Sequence, residues 1–129
     1  MHLTDTGGKT HTLDGHQGKW IVLNGWATWC APCIREMPEL EALARARKDV
    51  VVLGLAADGD NLERLRQYVQ ALHVSYPIIA GNEQLIKEFK IKAYPTTLLF
   101  NAQGKLVMTR MGQITRAELD AQMPVLASR

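Results

Sequence analysis

The 129-residue chain has two cysteines, and they stand two residues apart in the stretch WATWCAPC, at Cys30 and Cys33. Two thiols at that spacing could form a structural bridge, half of a metal site, or a redox pair that opens and closes. A bridge of this span closes a very small loop and constrains little of the unfolded chain. Zinc needs further ligands. There is no second cysteine pair, and His2, His11, His16 and His73 show no ligand spacing. No metal or other cofactor is therefore expected. His2, His11 and His16 read as exposed loop residues. A redox pair remains, and its position favours it. Cys30 follows a buried-strand pattern, and Cys33 falls in the first turn of the next helix. The unpaired N–H groups and positive dipole end of that helix would stabilise a thiolate at Cys30. A thiolate is the species that attacks disulfides. Pro32 suits the start of a helix, where a missing N–H costs nothing. Cys33 is close enough to reach back and expel a bound partner.

The elements that hold this pair follow from hydrophobic periodicity. Residues 19–27 (KWIVLNGWA) read as a buried strand and residues 32–48 as a helix with Met37, Leu40, Leu43 and Ala44 inward. The continuous apolar run VVVLGLAA, 50–57, predicts a strand covered on both faces. Asp60 with Glu63 forms a capping box for a helix whose inward stripe is Leu62, Leu65, Val69 and Leu72. YPIIA is a short strand, and NEQLIKEFKI a short helix with Leu85, Ile86 and Phe89 inward. Strands at 96–101 and from Lys105 are joined by a turn at Gln103–Gly104. Thr115 and Glu118 cap a last helix lined by Leu119, Met123 and Leu126. Met108, Met111 and Met123 read as core filler. The segment before Lys19 reads as an edge strand or hairpin. Early strands alternate with helices, then a hairpin follows. This order predicts an α/β fold with a central mixed sheet and helices on both faces, as one domain over 1–129.

Bulk properties narrow the function. Apolar residues make up 47% and the net charge is +2, normal for a globular chain. No basic cluster points to nucleic acid. No uncharged run is long enough to span a membrane, and the first ten residues lack the pattern of a signal peptide.

The motif WATWCAPC, with Tyr94-Pro95-Thr96-Thr97 following 64 residues after Cys30, resembles the thioredoxin superfamily. The longer stretch NGWATWCAPCIREMPEL is similar to its TlpA/ResA-like thiol–disulfide oxidoreductases, and the resemblance runs from about Gly18 to Leu126. It implies a thioredoxin-like fold with an extra helix and strand inserted at Asp60–Ala80. It implies Cys30 as nucleophile and Cys33 as resolving thiol, with Pro95 as a cis-proline beside them. Residue type alone would make Pro95 a trans residue opening a strand. A cis bond would leave the Tyr94 backbone free to pair with an extended substrate. Trp29 and Pro32 complete the expected contact surface. Trp26 is expected in the core beneath. Asn24 stands where classical thioredoxins carry a buried Asp, so Glu36, one helical turn beyond Cys33, becomes the candidate proton acceptor. By residue type alone, Glu36 would be a solvated residue paired with Arg35 or a lysine. Gly25 departs from the family's usual bulky aromatic, leaving space for Tyr94 or a substrate. Asp58, at a strand end, reads as a cap or turn residue.

The resemblance implies reduction of protein disulfides, with a partner reductase restoring the dithiol. It also implies a monomer outside the cytoplasm, with a membrane tether or longer chain beyond this sequence. Two other functions stand beside it. A peroxiredoxin-type peroxidase needs a Thr three residues before its cysteine in a proline-led loop. Thr28 is two before Cys30, with no such proline. A metal-binding or docking domain would show no disulfide exchange.

Overall fold

The computed structural model describes residues 2–126; the expected domain limits, 1 and 129, lie outside them. Two short strands, β1 (Leu3–Thr4) and β2 (Thr10–His11), pair as an antiparallel hairpin. The main body then runs β3 (Trp20–Trp26), α1 (Ala31–Ala46), β4 (Val50–Ala56), α2 (Leu62–Leu72), β5 (Ile78–Ala80), α3 (Glu83–Glu88), β6 (Thr96–Phe100), β7 (Leu106–Met111) and α4 (Arg116–Gln122). The five-stranded sheet has the order β5-β4-β3-β6-β7. β3, β4 and β5 are parallel, and β6 and β7 run antiparallel to their neighbours. This is the mixed α/β sheet predicted from the order of elements, with α2 and β5 as the added helix and strand.

Alternation along the strands divides the core. Val22, Trp26, Val52 and Leu99 face one side, where Met37, Leu40 and Leu43 of α1 and Leu119 of α4 cover them. Ile21, Leu23, Leu53, Leu55 and Leu98 face the other, against Ile86 of α3, Ile91 and Leu3 of the hairpin. β3 and β4 are buried on both faces because each is flanked by strands and sandwiched by helices. Asn24 is the polar residue of β3, and alternation turns it to the α1 side.

Several local expectations are corrected. The α2 cap is Asn61, whose side chain accepts from Arg64 N at 3.1 Å, rather than Asp60. Of the expected stripe only Leu65 is buried; Val69 and Leu72 are half-buried and Leu62 is exposed, because α2 lies over the edge of the sheet. The Thr115–Glu118 capping box forms as expected. α4 ends at Gln122, so Met123 is buried just past it and Leu126 lies beyond the helix. Met111 is exposed rather than core, since β7 is the edge strand. His11 is buried rather than in an exposed loop. Its Nε2 pairs with Asp5 at 2.8 Å and its Nδ1 with His16 Nε2 at 3.1 Å.

Candidate active site

Cys30 is the N-cap of α1, directly after the loop that leaves β3. Its Sγ accepts from the backbone N–H of Cys33 at 3.3 Å, and Pro32 lies within the first two helical positions. The first turn contains no acidic residue, so nothing there opposes a negative sulfur. A thiolate at Cys30 would meet the orphan N–H groups and positive end of a 16-residue helix. The two cysteines are joined as a disulfide, with Cα atoms 5.3 Å apart. Cys30 keeps 4% of its surface in contact with solvent and Cys33 none. An incoming disulfide can therefore reach Cys30, while Cys33 meets only what Cys30 holds.

The approach to Cys30 is fixed by a neighbour not found from the sequence. Thr28 is held from two directions. The Asp58 carboxylate accepts from both its backbone N–H and its hydroxyl, and the Tyr68 hydroxyl donates to its carbonyl at 2.8 Å. Asp58 thus ties a loop, close to its expected role as a turn residue. Tyr68 comes from α2, and no sequence signal could have connected it to Thr28, 40 residues away. With Thr28 held, Trp29 projects outward, 68% exposed, and meets Tyr94 edge-to-face at 5.5 Å between ring centroids. Burial, with the nearby negative charge of Asp58, raises the Tyr94 phenol above its ordinary pKa. The Tyr94–Pro95 peptide is cis, and Pro95 is buried. Its carbonyl accepts from Gly112 N at 2.8 Å, and the neighbouring Gln113 side chain donates to Pro32 O at 3.0 Å. Gly112 has φ of +96°, a conformation glycine adopts at little cost. The structure therefore brings Trp29, Cys30, Pro32, Tyr94 and Pro95 together at one end of the sheet.

Gly25 leaves no vacancy for Tyr94. A Cβ there would lie 2.8 Å from Ile91 Cδ1, so Ile91 occupies that space. Trp26 is fully buried, as expected.

Beneath the disulfide lies a polar pair within the apolar core. Glu36 is buried rather than solvated, and it is not paired with Arg35. Its Oε1 accepts from Asn24 Nδ2 at 2.8 Å and its Oε2 from Ile114 N at 2.8 Å. Asn24 also donates to Thr97 Oγ1 at 3.2 Å. Burial pushes the Glu36 carboxyl above its ordinary range; the bonds from Ile114 and Asn24 and the charge of Arg110 oppose this without cancelling it. Asn24 Oδ1 is buried without a partner. If the amide turns over, Oδ1 can accept a carboxyl hydrogen from protonated Glu36, and Nδ2 then takes the partnerless position.

A helix-capping sulfur, a buried partner cysteine and a buried carboxyl one turn further along make a site suited to thiol–disulfide exchange. Comparison with known proteins agrees. The AhpC/TSA family profile matches residues 1–109. The thiol–disulfide oxidoreductase ResA of Bacillus thuringiensis is 31% identical over 120 residues, covering 92% of this chain and 69% of its own. The chain belongs to the AhpC/TSA family and is a thiol–disulfide oxidoreductase. The thioredoxin-like protein YneN of Bacillus subtilis is 27% identical over 119 residues, 90% of this oxidoreductase and 70% of the relative. Among solved structures, the exposed lipoprotein thioredoxin of Streptococcus pneumoniae superposes with a TM-score of 0.84 at 25% identity. That match covers 95% of this chain and 96% of the other. The oxidoreductase thus has the thioredoxin-like fold its motif implies.

Proposed function

We propose that this oxidoreductase reduces disulfides in polypeptides outside the cytoplasm, and that a dithiol reductase restores it. The observation that carries the reading is Cys30 at the α1 N-terminus with no acidic residue in that first turn. In the reduced protein the Cys30 thiolate attacks one sulfur of the substrate disulfide. The other substrate sulfur leaves as a thiolate and takes a proton. Cys33 then gives its proton to Glu36 and attacks Cys30 Sγ, which releases the second substrate thiol. Two electrons pass from the protein dithiol to the substrate, and the protein is left with the Cys30–Cys33 disulfide. Trp29, Pro32, Tyr94 and Pro95 form the contact surface, and the backbone at Tyr94 pairs with an extended substrate.

The extracytoplasmic placement takes its support from the pneumococcal relative, which is named an exposed lipoprotein. No helix among the described residues is long and apolar enough to cross a membrane, so a membrane tether would lie elsewhere in a longer chain. The unit acts as a monomer and as one domain over 1–129, which fits one five-stranded sheet with a core on each face. A peroxidase reading gains no support, because the Thr28 hydroxyl is committed to Asp58.

Two measurements test the reading. Equilibration in thiol–disulfide buffers with alkylation trapping gives the potential of the pair. The proposal expects a value near about −270 mV; a value near about −120 mV would make the protein an oxidant. A Cys33→Ser variant should accumulate a mixed disulfide through Cys30 with an oxidised polypeptide such as insulin. Absence of that adduct refutes Cys30 as the attacking thiol.

A further inference from the structure

The surface beside Cys30 holds an open pocket of about 440 Å³ whose walls include Thr28, Trp29, Ile34, Arg35 and Tyr68. A second hollow of about 490 Å³ continues from Ile34 between α1 and α2 as far as Val74. The two hollows meet at Ile34 and are treated as one trough, whose first part is lined by Trp29 and Ala31, the residues on either side of Cys30 in the chain. One wall is α2, part of the added helix–strand unit. The Tyr68 hydroxyl is committed to Thr28 O, so its ring is a fixed wall rather than a swinging side chain. The Trp29 ring, 68% exposed, stands at the mouth. Arg35 is exposed on the rim, and it has no carboxylate partner among the described residues.

We propose that this trough binds the polypeptide stretch flanking the target cysteine, taking an apolar side chain against Ile34 and Tyr68 and an acidic residue at Arg35. The proposal rests on the reading that the substrates are polypeptide disulfides. Three observations carry it. The trough is lined by Trp29 and Ala31, which flank the cysteine that forms the mixed disulfide, so a chain bound through Cys30 lies beside it. Its aromatic walls are held before substrate arrives, which lowers the ordering cost of binding. Its free rim charge is positive, and like charge on a substrate would be repelled there. Selectivity among polypeptides then comes from Ile34 and Arg35 on the outer side of α1 together with Tyr68 of α2, while the exchange chemistry stays with Cys30 and Cys33.

The test follows oxidation of the prereduced protein by three disulfide-linked peptide dimers and by 2-hydroxyethyl disulfide, which is neutral and has nothing to place in the trough. The peptides carry Phe and Glu, Phe and Lys, or Ser and Glu on both sides of the cysteine. All rates are taken relative to the small disulfide in the same protein, which separates trough binding from thiol reactivity. In the wild type the Phe–Glu peptide should react roughly tenfold faster than the Ser–Glu peptide, the effect of one partly buried apolar side chain. Ile34→Asp should abolish that ratio. Arg35→Glu, an exposed change that leaves folding intact, should reverse the Glu-over-Lys preference by several-fold, and added salt should weaken the effect. The same peptide ranking in wild type and both variants overturns the trough. A wild type oxidised by 2-hydroxyethyl disulfide but by none of the peptides instead overturns polypeptide reduction, and the trough falls with it.

Discussion

Replacing Glu36 with Gln probes the buried pair most directly. Glu36 lies one helical turn beyond Cys33 on α1, and both residues are buried. Side chains at that spacing are about 5–6 Å apart at Cβ. Two unit negative charges about 6 Å apart, at an effective dielectric constant of about 20, repel by about 2.8 kcal/mol. That is about two pK units. Where Glu36 is ionised, it should hold the Cys33 thiol about that far above the value it would have beside a neutral residue. The effect is mutual, so the two groups titrate as a coupled pair. Burial already raises Glu36, and a Cys33 thiolate would raise it further.

Gln keeps the volume and one acceptor. The amide of Asn24 can turn over and offer its unpartnered Oδ1 to the new amide donor. Loss of one net hydrogen bond costs about 1 kcal/mol, so the variant should fold. The assay places both side chains in a Cys30→Ser background, where Cys33 is the sole thiol, and follows thiolate ultraviolet absorbance against pH. Glu36→Gln should lower the Cys33 midpoint by about two units. Coincident titration curves would refute the argument, because a carboxylate that close to Cys33 cannot ionise without being felt.

Further outcomes follow from other contacts. Asp58→Ala removes the acceptor for two Thr28 donors; denaturant unfolding should show a loss of about 1–3 kcal/mol, and an unchanged midpoint would mean the loop holds itself. Gly25→Ala brings a Cβ to 2.8 Å from Ile91 Cδ1. Overpacking of that kind costs about 1–3 kcal/mol, and Ile91→Val should restore part of the melting temperature; no loss in the single variant counts against close packing there. The N-terminal hairpin should loosen in acid. His16 sits below the usual imidazole pKa through burial, then through the positive charges of His11, Lys19 and Lys9. The unfolded chain therefore binds its proton first, and stability falls as pH drops below about 6.5. Burial works to raise Asp5, yet its bonds with His11, Lys9 and Gly7 outweigh this and leave it lowered, so a second loss should begin below about 3.9. Amide exchange at Lys9 and Gly7 reads both steps, and His16→Gln should erase the first alone.

What the sequence disclosed follows the range of each interaction. β3 and β4 were legible because a strand buried on both faces is a continuous apolar run. The Thr115–Glu118 box was legible because its partners are three residues apart. The space at Gly25 was misjudged because Ile91, which fills it, lies 66 residues away in the chain. The α2 stripe was overread because periodicity reports a face, and only position over the sheet edge decides how much of it is covered. Cys30 and Cys33 could be read as a redox pair from their spacing and their place between a buried strand and a helix, whereas the clamp on Thr28 from Asp58 and Tyr68 could not be read at all.

The burial of Glu36 lies between these cases. Residue type favoured a solvated carboxylate, and its two donors come from 12 residues before it and 78 after it. Yet Asn24 was a visible anomaly, a polar residue inside a run that must be buried on both faces. A buried amide must be hydrogen-bonded. Alternation from Val22 and Trp26 turns Asn24 toward the helix that follows β3. Glu39 and Glu41 fall on either side of the Leu40 face, away from the sheet. Glu36, adjacent to Met37 and one turn from Leu40 and Cys33, is the carboxylate of α1 placed to reach the strand. The same requirement that makes Asn24 costly to bury thus selects its partner and sets that partner one turn from Cys33.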